Sequence, residues 1–516
     1  MGTLIFLLLN YLLTSYMLRG VFEKAGIEPS KALIPGVNFV EWAKMVGHKP
    51  SFAAWMLFPV VNIFIWCGLC VDTMRSFGRY SFWDSFLSII LTPLAFWQIG
   101  TNKDDKYVGG IIPREAEFQA AVKTALEKKD KFALNKLSAS PYAKSPIREW
   151  TEALFFAVFA AAFIRMFVFE MYVIPTSSME GSLLVGDYLA VGKFNYGLRT
   201  PMTVIQVPLV HNQIPITGAE SYINPPSLPY FRLPALEKIE HNSPIVFNWP
   251  YGDSIVMWRG RSWNINQMKE MGQRYSDVDV IARPVDKKDH YIKRCVALPG
   301  DNFEIKNRQI FINGQAAPVP SNVQFHYKIT GGFKLDDLRS MGVHIDDLGE
   351  GSSSAGHFTL DAQQVAKIKS MHNDAKVDVV PHDRVGESNI FPFDTTHYKW
   401  TIDNFGPLTI PAANATVQLT KENLSLYSRV IIVYEGNKLE TKADGIYINN
   451  LKSTSYTFRQ NYYWMQGDNR HNSEDSRFWG FVPEDHIVGK PLFIWFSKGE
   501  DAGIRWNRIF TTANKM

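Results

Sequence analysis

The chain has 516 residues, too many for one ordinary domain, and 46% of them are hydrophobic. Its mean hydropathy is only −0.11, so the apolar residues must be concentrated in particular stretches. A net charge of +4 argues against a nucleic-acid binder, which needs a dense basic face.

Four stretches read as membrane spans. Residues 2–18, 50–71 and 85–102 carry no charge, and residues 153–169 carry only Arg165, near the far end. Each is close to the ~17–25 residues that cross a bilayer, and one cleaved leader would not explain four. Pro93 is tolerable in a membrane helix, and Arg165 can snorkel to the headgroups. Cys67 and Cys70 form a C-x-x-C inside the second stretch. A redox or zinc role needs exposed thiolates and more ligands, so they read as small apolar fillers. Cys295 has no obvious partner, and no disulfide framework is expected.

Lysine and arginine in the loops set the orientation. Residues 19–49 carry five (Arg19, Lys24, Lys31, Lys44, Lys49), residues 72–84 carry two, and residues 103–149 carry ten. The two richer loops are expected in the cytoplasm, which puts everything after Phe169 outside. The expected division is a multi-span membrane region over 1–102, a cytoplasmic connector over 103–150 and a last transmembrane helix over 151–171. A catalytic core follows over 172–302 and 462–516, interrupted by an inserted β-rich subdomain over 303–461.

Beyond Glu170 the texture changes. Short β-rich runs such as Ile245–Phe247, Ile255–Trp258 and Val430–Tyr434 alternate with Gly, Pro, Asn and Asp, the pattern of a mostly-β unit. Residues 200–244 are proline-rich and read as an irregular excursion. Short helices are expected near 335–347 and 361–372.

Three motifs carry chemistry. The first, Ile174-Pro175-Thr176-Ser177-Ser178-Met179, lies just past the last apolar stretch. A serine hydroxyl is a poor nucleophile unless a base takes its proton, and a lone Ser-Met pair would otherwise be an ordinary polar turn. The second is Tyr291-Ile292-Lys293-Arg294, ahead of Leu298-Pro299-Gly300-Asp301. A lysine becomes a base only when burial lowers its pKa, and strand alternation puts Tyr291 and Cys295 on the face of Lys293. By itself this motif would read as a surface lysine on a strand edge. The third is the polar run from Gly467 to Arg477, ending before Phe478-Trp479-Gly480. Such residues favour turns, yet eleven in a row is long for a plain loop. Within it Ser473 can orient the lysine, and Asp475 can pair with Arg477. His241, His290 and His471 lie near the motifs and leave a Ser-His-Asp triad open. Neither a G-x-S-x-G elbow nor an H-E-x-x-H metal motif is present.

In this order, the three motifs resemble bacterial type I signal peptidase, a serine–lysine membrane endopeptidase. The resemblance covers roughly residues 165–497, and the extra spans resemble the long form found in Bacteroidota. It implies Ser178 as nucleophile and Lys293 as general base. It places the oxyanion hole at the Thr176 hydroxyl and the Ser178 amide. Ser473 would orient the lysine, while Asp468 with Arg294 and Asp475 with Arg477 would give structural support. Tyr172, Ile174, Leu183 and Ile292 match the family's pocket-lining positions. The implied activity is removal of signal peptides from exported preproteins at the outer face of the cytoplasmic membrane, near the export translocon. Neither metal nor cofactor is implied. The pattern departs at Ser177, where the family often has glycine, at Gly181, where it has proline, and at Ser243-Pro244, where it has Gly-Asp. The competing readings are a non-enzymatic multi-span scaffold with a β ectodomain and a self-cleaving serine–lysine repressor. The intact Ser/Lys pair argues against the scaffold. The membrane stretches and the lack of a DNA-binding half argue against the repressor.

Overall fold

The computed structural model describes residues 2–58, 61–143, 146–258, 261–264, 267–268, 280–341, 343, 356–499 and 503–512. The chain divides into two compact units, one of Met1–Ile164 with Thr200–Pro229, the other of Arg165–Arg199 with Tyr230–Met516.

The first unit is mostly helical. Its first helix, Gly2–Lys24, is 23 residues long and leaves Leu8, Leu9, Leu12, Leu13 and Tyr16 exposed. Near its end it meets the Thr92–Thr101 helix, and a Cβ on Gly20 would lie 3.1 Å from the Gly100 Cα. Two small residues thus let the backbones close up, as in membrane helix pairs. Trp42 is buried and donates to the Thr73 hydroxyl at 2.6 Å.

Prolines break two of the predicted spans. Residues 50–71 hold a 3₁₀ helix, Pro50–Leu57, and the start of an α-helix, Val61–Ser76. Between them Phe58 is extended (φ −90°, ψ 113°), because the residue before a proline is pushed out of the helical region. The 85–102 stretch falls within two helices, Phe82–Ile90 and Thr92–Thr101, bent by 119°. Pro93 cannot donate to the preceding turn, and the chain folds back at Leu91. The fourth stretch forms the Pro146–Phe163 helix, which runs on through a π turn, Ile164–Val168. Its Glu149–Val168 portion, 20 residues, is the single unbent helix among the described residues long and apolar enough to cross a membrane; the bent pair would make a second. The excursion at 200–244 contains a hairpin, Thr203–Gln206 with Tyr222–Ser227.

The second unit is built on one antiparallel sheet. Its strands run in the order Phe169–Val173, Asp187–Gly192, Ile487–Gly499, Pro244–Asn248, His290–Ala297, Tyr462–Gln466 and Val482–Pro483, with Gly503–Ile504 added beside the long strand. Strands far apart in sequence are therefore neighbours, and the lysine strand lies between Pro244–Asn248 and Tyr462–Gln466.

Residues 303–461 contribute several small sheets. The Asn302–Lys306 strand pairs with Gln309–Ile312 and Phe405–Thr409, while Gln324–Thr330 lies between His357–Asp361 and Lys376–Val379. The expected short helices appear as Leu335–Ser340 and Ala362–Met371, the second opened by an Asp361/Gln364 capping box. The rest of the 335–347 expectation lies largely outside the described residues. The run Val430–Tyr434 corrects the sequence reading. It is not a strand but a π-helical turn extending the Leu424–Arg429 helix. β-branched residues favour strands only weakly against tertiary context. Here Val430 and Ile431 are buried from a helix whose Arg429 is anchored on Asp253 at 2.6 Å.

Trp464 joins the main sheet to the following segment. It is fully buried, with the rings of Phe303, Phe391, Phe405 and Phe481 centred 5.3–5.8 Å away. Part of 303–461 therefore shares a core with the lysine strand's neighbour. Trp464→Ala should cost about 3–5 kcal/mol of stability. Thermal unfolding of the purified variant would show this as a lowered midpoint.

Candidate active site

The first strand leads into an extended turn. Thr176 is extended at φ −137°, ψ 156°, and the 3₁₀ turn Ser177–Met179 follows. Met179 drops into the core while Ser178 stays half-buried above it. The hydroxyls of Thr176 and Ser178 lie 3.4 Å apart.

Lys293 comes from the middle of the sheet. Its side chain is 3% exposed, and its Nζ reaches the Ser178 Oγ at 2.6 Å. The Tyr291 ring is 5.7 Å from that nitrogen. Burial pushes the lysine pKa from 10.5 down to about 8. The carboxylates of Asp475, Glu474 and Asp468 oppose the shift, and Arg477 assists it.

The polar run 467–477 backs this pair. Asn469 donates from its backbone N–H to the Ser178 carbonyl at 3.2 Å and from its side chain to the Ser177 carbonyl at 3.3 Å. Asn472 donates to the Ser177 hydroxyl at 3.1 Å. A Cβ on Gly467 would overlap both the Ser473 Oγ and the Ser178 carbonyl, so only glycine admits the close approach.

Two buried carboxylate–guanidinium forks hold the run in place. Arg294 donates to Asp468 through Nε at 2.7 Å and Nη2 at 2.5 Å. Arg477 donates to Asp475 at 2.9 and 2.7 Å, and also to the Arg470 carbonyl at 2.6 Å. Such bidentate pairs add geometric precision to charge. Ser182, which sequence reasoning missed, bridges the first fork: it donates to Asp468 at 2.6 Å and accepts from Arg294 at 3.1 Å. Its one signal was its position four residues after Ser178.

Ser473 is buried, and its hydroxyl has no hydrogen-bond partner among the described residues; its place is beside Gly467. Of the histidines near the motifs, His241 is bonded to Asp301 and His471 to Asp403, each at 2.7 Å. His290 packs at a tilt of 58° against Tyr172 with ring centres 4.7 Å apart. Ser178's hydroxyl is met by lysine.

An apolar cluster adjoins the pair. Ile174, Met179, Leu183, Leu189, Val191, Val246, Val488 and Ile494 are buried together, with Tyr172 and Ile292 packed against them. All four residues predicted for a pocket fall in this one cluster. Met179 and Val246, which were not predicted, lie between them in sequence or in the sheet, where Val246 pairs with Ile292. The Tyr172 hydroxyl donates to Glu170 at 2.7 Å, and Glu170 also pairs with Arg165 and Lys193. Arg165 therefore has a protein partner as well as its place at a helix end.

Gly181 explains one departure from the expected pattern. Its φ is +92°, and a Cβ there would collide with the Asn322 carbonyl. Proline, fixed near φ −65°, cannot occupy that backbone.

This constellation matches a known family. A model of the signal peptidase family, peptidase S26, fits residues 147–385 and 416–496, more than half of the chain. The chain belongs to that family. Signal peptidase I from Haemophilus influenzae is 26% identical over 387 residues, covering 73% of this chain and 79% of that protein. The Buchnera aphidicola enzyme from the Acyrthosiphon pisum symbiont is 23% identical, covering 69% and 79%. One from Helicobacter pylori is 24% identical, covering 68% and 88%. Residues 30–110 match a second family, of unknown function. The S26 membership makes the chain a serine endopeptidase with a mostly-β catalytic domain.

Were Lys293 the base of this peptidase, it would have to be unprotonated to act, and kcat/KM would fall about tenfold per unit below its pKa, about 8, and level off above it. The sign for folding agrees. The unfolded chain holds the proton up to about 10.5, so Lys293 lets stability rise as pH goes from about 8 to 10.5. A pH–rate profile with a peptide substrate checks the first statement.

Proposed function

We propose that this peptidase removes signal peptides from exported preproteins with Ser178 as nucleophile and Lys293 as general base. The observation that carries the reading is the 2.6 Å contact between a buried, depressed-pKa amine and a half-buried serine hydroxyl. Ser178 Oγ attacks the scissile carbonyl and Lys293 takes its proton. Lys293 then protonates the leaving amine and later activates the water that releases the acyl group. The Thr176 hydroxyl and the Ser178 amide receive the oxyanion. Ser473, buried with an unused hydroxyl, becomes a partner for the lysine once the proton has moved. The Asp468–Arg294 and Asp475–Arg477 forks hold the loop rigid.

The same reading places the catalytic unit outside the cytoplasmic membrane of a multi-pass protein, with 103–150 as a cytoplasmic connector and the export translocon nearby. The apolar Glu149–Val168 helix supports an anchor just before the catalytic unit. The exposed leucines of Gly2–Lys24 and the exposed Phe82, Trp83, Ile90, Leu94 and Trp97 support lipid around the first unit. The substrate pocket is assigned to Tyr172, Ile174, Leu183 and Ile292, which together leave room for small side chains beside Ser178.

Incubation of detergent-solubilised protein with a preprotein tests the mechanism. Ser178→Ala and Lys293→Ala should each abolish cleavage while the thermal midpoint stays near wild type, because the two groups act as a unit. Substantial turnover in either variant would refute it. Thr176→Val keeps the shape and deletes the donor, and should lower kcat about 10²–10³-fold. Thr176→Ser should retain most of the activity.

A further inference from the structure

Three histidines outside the reaction meet in the second unit. His326 lies on the Gln324–Thr330 strand, His382 follows the Lys376–Val379 strand, and His471 sits in the polar run behind Ser178. A ring nitrogen of each lies within 4.8 Å of those of the other two. The His382 and His471 rings are centred only 4.2 Å apart.

We propose that His326, His382 and His471 bind one divalent transition-metal ion of the zinc type, which ties the Gln324–Thr330 strand to the loop behind the nucleophile. Imidazole nitrogen suits zinc, copper, nickel and cobalt. Tetrahedral zinc with bonds of ~2.0–2.1 Å needs ligand nitrogens about 3.3 Å apart. The rings therefore need only a small inward turn.

The hydrogen bonds favour this use. The backbone N–H of His326 donates to His471 Nδ1 at 3.2 Å, so Nδ1 carries a lone pair and the ring proton is on Nε2. That proton goes to Asp403 Oδ1 at 2.7 Å. A carboxylate gripping one ring nitrogen is how metal-binding histidines are commonly oriented, and the ion would take the Nδ1 lone pair in place of the 3.2 Å bond from the His326 N–H. His326 Nε2 is buried with no hydrogen-bond partner, a cost that a metal bond would remove.

The position gives the ion a consequence. The Gln324 N–H donates to the Asp468 carbonyl at 2.8 Å, and the Arg470 N–H donates to the Gln324 carbonyl at 2.9 Å. The strand already runs beside the loop, and a metal two residues further along would lock that pairing. The ion takes no part in bond cleavage.

The test uses the full chain in detergent, free of any histidine tag, stripped with a chelator and titrated with Co²⁺. One equivalent should give visible d–d absorption, which Zn²⁺ should bleach, and Zn²⁺ should raise the thermal midpoint. His326→Ala and His382→Ala should each weaken Co²⁺ binding by about 100-fold or more, at least matching the 10–100-fold that outer-sphere changes cost. Where a variant fails to fold, the wild type decides: Zn²⁺ should protect His326 and His382 from acylation by diethyl pyrocarbonate. No saturable Co²⁺ binding, wild-type affinity in either variant, or unprotected histidines would overturn the proposal, whatever the outcome for Ser178 and Lys293.

Discussion

An amine buried in the middle of a β-sheet governs this catalytic unit. A lysine that is 3% exposed is tolerable in its neutral form, and a carboxylate free to pair with it would restore its charge. Three carboxylates, Asp475, Glu474 and Asp468, do come close enough to raise its pKa. Asp468 and Asp475 are already committed to a guanidinium, Arg294 or Arg477, in a buried fork, and Glu474 accepts from the Gln267 side chain at 2.6 Å. The forks thus do two things. They fix the loop, and they absorb the negative charge that would otherwise hold the proton on Lys293.

The same loop is gripped from two sides. Asn469 holds the Ser177–Ser178 backbone and Asn472 the Ser177 hydroxyl, and Gln324 bonds to Asp468 and Arg470 from the other direction. The segment around Gln324 also presses on the turn that carries Ser178, since the Asn322 carbonyl fills the space a side chain at Gly181 would need. The long segment between the lysine and the polar run therefore forms part of the surroundings of Ser178. Its strands also share the core around Trp464.

Much of the site was legible because its parts are compact in sequence. Ser178, Lys293 and the 467–477 run are each short motifs whose residue types imply proton transfer and rigid turns. The Asp475–Arg477 fork spans two residues and could be read locally. The Ser182–Asp468 bond spans 286 residues, and nothing in local spacing announces it. The histidine cluster draws on positions 326, 382 and 471 and has no motif at all. Hydropathy located the apolar helices but not their breaks. The proline effect at Phe58 ends a 3₁₀ helix there, and the break at Leu91 makes the 85–102 stretch part of a bent pair. Val430–Tyr434 misled because residue type outweighed what precedes it: the helix that begins at Leu424 carries the run along.

Specificity, on the proposed reading, follows from how firmly the apolar cluster is held. Ile174 follows the first strand, Leu189 and Val191 lie opposite Tyr172 and Glu170 on the next strand, and Val246 and Ile292 are opposite each other in the sheet. The walls on these strands are fixed by ladders of backbone hydrogen bonds, while Met179 and Leu183 reach the cluster from the turn after Ser178. Tyr172 is tethered through its hydroxyl to Glu170, and Glu170 is held ionised by Lys193 and Arg165. Close-packed walls of this kind cannot swell for a larger side chain without moving strands, which is costly. Misplacing the carbonyl by an ångström would cost roughly 10²-fold in rate, and Ile292 immediately precedes Lys293. Selection of small residues and placement of the bond to be cut would then be consequences of one rigid strand pair.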